Sequence, residues 1–287
     1  MFQDIDRNDV ETLEDLNREF FVFDIETSGL GANEEIISFC VRCEEGFIGW
    51  VNTNGEDADV NIEEWDLAQR DPNEHFVTGV VQSEKELLEK VKSLVYDMVD
   101  EEDVLVAYNG EVWGGGFDNS FIRTRCIKND MDFVLRGCNY MDLFEMIGKH
   151  GRFNTEMVSV RGLLKSDMVN FAESIGIETE GLNKSPLRDK IESEGYDRDE
   201  FREWYLENVG DDVPTYQYDS LDEVYEVLVG EDLGDPIENS KEVLELYANG
   251  DYENILKHNF VDVYQTAEIL LLCIKNISPD DFSMKML

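Results

Sequence analysis

The sequence predicts an α/β fold: a mixed sheet flanked by helices and interrupted by an acidic, mainly helical insertion. Three observations predict it. Residues 20–27 (FFVFDIET) are a nearly unbroken apolar run of strand length. Two more strand-like runs follow, 35–43 (EIISFCVRC) and 46–52 (GFIGWVN), joined only by Glu44-Glu45. A hairpin placed before any helix favours a mixed sheet over a purely parallel one. Residues 83–99 then place Leu87, Leu88, Val91, Leu94, Val95 and Met98 on one helical face, and DVLVAYN (103–109) reads as a buried strand.

The elements can be justified in order. Residues 1–18 are polar and read as a helical lead-in. The strand at 20–27 stops at the turn Ser28-Gly29-Leu30-Gly31. Ser83, with Glu86 three residues on, makes a capping box for the first amphipathic helix. The strand at 103–109 ends at Asn109-Gly110, and a helix starts at Asp118. Residues 138–147 (CNYMDLFEMI) read as a short strand running into a helix, and 156–177 as helical. Residues 178–240 hold Pro186, Pro214 and Pro236, many acids and several helical patches. They read as an inserted subdomain or long excursion within a single domain of 1–287. Strong helical periodicity returns over 241–274, broken at Asn249-Gly250-Asp251.

Composition bounds the class. Among 287 residues, 66 Asp and Glu face 24 Lys and Arg, for a formal charge of −42. Aromatic content of 11% is too high for a disordered acidic chain. The acids run through helical segments instead of forming a tail. That pattern suits high salt, where a Debye length near ~3 Å at 1 M screens self-repulsion. The alternative is an ordinary acidic protein, a nucleic-acid mimic or a partner of basic proteins. There is no basic-then-apolar leader, and AEILLLCI is too short to span a bilayer. The expectation is a cytoplasmic protein without membrane contact, in a high-salt cell or a virus of such a host. Cys40 and Cys43 form a CxxC without a second pair, so they read as small buried thiols.

Four acids in three segments point to chemistry. Asp24 and Glu26 are two apart on a strand and therefore share a face. Like charges side by side on a half-buried face repel, and a shared cation removes the conflict. Asp118 lies at a helix start, where a capping role is the plain alternative. Asp262 lies one helical turn after His258, on the same face. Leu256, Phe260 and Val263 make a separate apolar surface. Hard oxygen ligands suit Mg²⁺ or Mn²⁺, and the chemistry such a cluster supports is two-metal phosphodiester hydrolysis.

These residues resemble the DEDD 3′–5′ exonuclease superfamily, whose fold is ribonuclease-H-like. DIET at Asp24 to Thr27 matches its first motif. AYNG followed by Phe117-Asp118 resembles the second motif of family B DNA polymerase proofreading domains. His258 to Val263, with Thr266 beyond, is similar to the third motif of stand-alone ribonuclease-H-like exonucleases. The resemblance covers roughly residues 20–177 and 241–274, in the family's motif order. Two departures stand out. Residues 111–116 (EVWGGG) lengthen the second motif. His258 also lies four before Asp262, the spacing of the tyrosine subclass, whereas the histidine subclass uses five; the subclass stays open.

The resemblance implies a single-stranded DNA or RNA substrate, with DNA ahead of RNA, and replication or repair proteins as further partners. It implies that Asp24, Glu26 and Asp262 hold one ion, that Asp24 bridges to a second, and that Asp118 supports it. His258 would handle the proton of the attacking water. Thr27, Leu30 and Asn109 would line the substrate cleft, and Trp113 would stack on a base. An endonuclease or ribonuclease of the same fold, and a non-catalytic nucleic-acid-binding module, are the alternatives.

Overall fold

The structure is a computed structural model. It describes the chain except residues 1–12, 14–17, 30, 32, 45, 63–64, 66, 68–74, 111–116, 151–155, 159–164, 180–186, 188–189, 192–197, 210–214, 218–219, 238–241 and 278–284. The predicted helical lead-in therefore lies almost wholly outside the described residues. The chain divides into two compact units, residues 1–151 with 221–287, and residues 152–220.

The first unit is built on a mixed sheet. Its strands are β1 (Phe20–Thr27), β2 (Ile36–Cys43), β3 (Gly46–Asn52), β4 (Phe76–Val81), β5 (Val104–Ala107), β6 (Asn139–Asp142) and a two-residue edge strand, Lys285–Met286. The spatial order is β4-β3-β2-β1-β5-β6, with the two-residue strand outside β6. β1, β2 and β3 form an antiparallel meander. β4 runs parallel to β3, while β5 and β6 run parallel to β1. The expected hairpin before the first helix is thus the antiparallel half, and the later strands are the parallel half.

Alternation along β1 separates two cores. Phe21, Phe23 and Ile25 pack with Leu87, Leu88, Val91 and Leu94 of helix α1 (Glu84–Met98) and with Phe121 and Ile122 of helix α2 (Asp118–Lys128). The even positions of β1, Asp24 and Glu26 among them, face the other side. That side is covered by the 25-residue helix Tyr252–Asn276, which packs on β1, β2 and β3. Its Phe260 meets Phe47 and Phe76 edge-on, with ring centres 5.9 Å and 5.4 Å apart. Gly49 makes this approach possible, because a Cβ there would lie 2.5 Å from Cζ of Phe260 and 2.8 Å from the Cys40 sulfur. All five cysteines are buried free thiols.

A buried ion pair ties the helical layer to the sheet. Arg125 of α2 donates to both carboxylate oxygens of Glu84, at 2.6 Å and 2.8 Å. The same carboxylate accepts from the Ile36 amide and from Asn129. Ser83 caps α1 as expected, accepting from the Glu86 amide, while Glu86 reaches back to the Gln82 amide.

The second unit has its own core: Met168, Phe171 and Ala172 from helix Lys165–Ser174, with Ile177, Leu187, Ile191 and Phe201. Phe201 belongs to helix Arg198–Asn208 and meets Phe171 edge-on at 5.0 Å. A two-stranded antiparallel sheet pairs Glu156–Val158 with Thr215–Gln217. Two expectations change here. Residues 156–158 are strand, not helix, because they find a partner some sixty positions away. The unit spans 152–220, not 178–240. Residues 221–237 belong to the first unit, where helix Leu221–Leu228 buries Val224 and Tyr225 and packs on the long helix.

Candidate metal centre

Three neighbouring parallel strands deliver acids to one edge of the sheet. β1, β5 and β6 all point the same way, so their carboxyl ends lie together. Asp24 and Glu26 sit near the end of β1, where pairing with β2 shifts register between Glu26 and Thr27. β5 leads into Asn109, which adopts a left-handed conformation with φ of 63°. Its carbonyl accepts from the Phe117 amide, and the Gly110 carbonyl accepts from Asn119. These bonds close the second motif and start α2 at Asp118. Gly110 is needed there, since a Cβ would meet the Tyr140 hydroxyl at 2.5 Å.

The long helix supplies the rest. Asp251 caps it by accepting from the Asn254 amide. His258 and Asp262, one turn apart, both face the β1 acids. His258 Nε2 lies 3.4 Å from Glu26 Oε1 and 3.9 Å from Asp262 Oδ2. Donor atoms of Glu26, His258 and Asp262 all fall within 4.8 Å of one another. Asn259 beside them bonds Ser38, which pairs with Glu26 across the sheet.

Burial and crowding make ionisation of these carboxyl groups unfavourable. Burial and then Asp118, Asp262 and Glu26 push Asp24 well above the usual carboxylate range. Burial, Asp142, Glu26 and Asp262 do the same to Asp118. Burial raises Glu26 to about 8 and Asp262 to about 7, with His258 opposing both rises. Burial alone would lower His258. Asp262, the hydrogen bond to Asp235 and Glu26 together outweigh it and raise the imidazole to about 10.

Neither a family model nor a curated protein matches this chain.

The residues fit a divalent cation on their own chemistry. Asp118 Oδ2 and His258 Nε2 are buried without a hydrogen-bond partner among the described residues. The donors are carboxylate oxygens and one imidazole, a set that suits Mg²⁺ and, with the nitrogen, Mn²⁺. Asp118 follows the cap position of α2 and makes no capping bond, so the helix-cap alternative has no support.

The remaining predicted residues fall into three groups. Asp24 and Asp118 lie outside the closest donor group but act on it electrostatically. Thr27 is half-buried and donates its hydroxyl to the Gly29 carbonyl, while the Asn109 backbone amide donates to Asp142. Leu30 and Trp113 lie outside the described residues.

Two acids of this region were not singled out from sequence. Asp142 accepts from the Asn109 and Phe144 amides and from the Tyr140 hydroxyl, and it is Asp118's strongest electrostatic neighbour. Asp235 binds His258 Nδ1 at 2.9 Å and 3.1 Å through its two oxygens. Asp142 had a signal, an Asp just before a helical run with Glu145 three residues on. Asp235 had only Asp-Pro turn chemistry.

Proposed function

We propose that this chain is a metal-dependent 3′–5′ exonuclease of ribonuclease-H-like fold, hydrolysing phosphodiester bonds of single-stranded nucleic acid, with DNA ahead of RNA. The observation that carries the reading is the convergence of Asp24, Glu26, Asp118 and Asp262 from three distant segments, with His258 among them. Burial first, and their mutual repulsion second, raise their pKa values, a cost that a bound cation would relieve.

Asp24, Glu26 and Asp262 would hold one cation, and Asp24 with Asp118 would hold a second. Two bound Mg²⁺ or Mn²⁺ ions supply Lewis acidity at the attacking water and at the leaving 3′-oxygen. His258 handles the proton. Its Nε2, which lies between Glu26 and Asp262, would be placed to accept a proton from the attacking water. Oxygen of that water bonds to phosphorus, the bond from phosphorus to the 3′-oxygen breaks, and the proton passes through Nε2 to solvent or to the leaving oxygen. Thr27 and Asn109, at the ends of β1 and β5, would border the terminal nucleotide.

The test is a nuclease assay with linear and circular DNA and RNA, in molar KCl, with Mg²⁺, Mn²⁺ or EDTA. Metal-dependent shortening of linear single strands from the 3′ end supports the reading. Cleavage of circles points to the endonuclease. Turnover that ignores the metal overturns it, and so does the absence of turnover, which favours an acidic binding protein. His258→Ala should lower turnover by about 10²–10⁴-fold, and His258→Tyr should restore part of it. Wild-type rates in His258→Ala from pH 6 to 9 would remove His258 from the mechanism.

A further inference from the structure

Asp235 reaches the site from a loop that the motif pattern does not include. Its carboxylate is held by its own turn, with the Ile237 amide donating to Oδ1 at 2.9 Å, next to Pro236. The same carboxylate spans Nδ1 of His258 at 2.9 Å and 3.1 Å. The opposite ring nitrogen, Nε2, is buried, makes no hydrogen bond among the described residues, and lies between Glu26 and Asp262.

We propose that Asp235 is a positioning residue that fixes the ring and the tautomer of His258, keeping a proton on Nδ1 so that Nε2 presents its lone pair to the acid cluster. An ionised carboxylate only accepts hydrogen bonds. A neutral His258 must therefore carry its proton on Nδ1, because the other tautomer would set two lone pairs against each other. A lone pair on Nε2 is what a proton acceptor or a metal ligand needs, and a carboxylate on the far nitrogen is the usual way to secure it. The catalytic consequence rests on the nuclease reading; the placement of the proton does not.

Asp235→Asn is the discriminating variant. The Asn carbonyl can keep the bond from Ile237, while its NH₂ replaces the oxygen nearest Nδ1. That group donates, so it selects the tautomer with the proton on Nε2. Histidine-labelled protein, loaded with Mg²⁺ at a pH where the imidazole is neutral, is read by ¹⁵N NMR; there are only three histidines to assign. Wild type should show the proton on Nδ1 of His258, and Asp235→Asn should show it on Nε2. On linear single-stranded DNA, kcat should fall about 100-fold, within the range of lost general-base action, with KM and Mg²⁺ affinity changed less than about twofold. Asp235→Ala, which removes both acceptor and donor, should show a mixture of tautomers and also lose kcat.

A wild-type proton on Nε2 overturns the proposal, as does an unchanged tautomer in Asp235→Asn. So does a full kcat in both variants. A wild type that folds but cleaves nothing overturns the nuclease reading, while the NMR comparison still decides what Asp235 does.

Discussion

Replacing Glu26 with Gln should make the metal-free protein more stable. Glu26 titrates at about 8 in the fold against an ordinary 4.5. Its raised folded value means that stability is fully present below about 4.5 and is lost as pH rises through about 8. At pH 7 the folded side chain keeps its proton while the unfolded one has lost it. The difference corresponds to a penalty on the order of 3 kcal/mol. The side chain is only 12% exposed, so solvent screens little of this. Gln keeps the shape and removes the ionisation, and for a chain of this size the gain translates to roughly 6–12 °C in melting temperature. The assay is thermal unfolding in EDTA at fixed high salt, at pH 4.5 and pH 7, repeated at pH 7 with Mg²⁺. Glu26→Gln should melt above wild type at pH 7 in EDTA and level with it at pH 4.5. It should also gain less from Mg²⁺, because it has lost a ligand. A variant that melts at or below wild type in EDTA at pH 7, or gains as much from Mg²⁺, would refute the argument that the site is strained for want of a cation.

Asp24→Ala and Asp262→Ala should each abolish cleavage while leaving the metal-free fold intact, as judged by circular dichroism beside the nuclease assay; full activity in either removes that residue from the site. Glu84→Ala should cost about 3–5 kcal/mol in urea denaturation, because it leaves Arg125 buried without its carboxylate and strips a bond from the Ile36 and Asn129 donors. Melting temperature should rise between about 0.1 M and 2 M KCl as the Debye length falls from roughly 10 Å to below 3 Å; a flat response would show that the acidic surface is no adaptation to salt.

The sequence makes legible whatever is written in local periodicity. β1, the β2–β3 hairpin and α1 all follow from runs of apolar residues at strand or helix spacing. The Asn249-Gly250-Asp251 break before the long helix reads the same way. β4 is not legible because Thr78 and Gly79 interrupt its apolar run, and Gly79 lies opposite Trp50 of β3, whose ring occupies the space a Cβ would need. The strand at 156–158 has its partner at 215–217, and no local pattern reports a distant pairing. The same limit separates the site residues. Asp24 with Glu26, and His258 with Asp262, announce themselves by spacing on a single element. Asp235 does not, because its meaning lies in His258, across a turn and 23 positions along the chain.

The centre joins the first strand of the sheet to the final long helix, and the supporting bond from Asn259 to Ser38 links residues 221 positions apart. That separation has a consequence during synthesis. A nascent chain can begin forming β1, the hairpin and α1 long before residue 252 has left the ribosome. Until the helix emerges and docks beneath Gly49, it lacks His258 and Asp262. Closing so long a loop is among the slower events in folding. A ribosome that stalls upstream would release a fragment carrying Asp24 and Glu26 without His258 and Asp262, so a partly made chain would hold only part of the acid cluster.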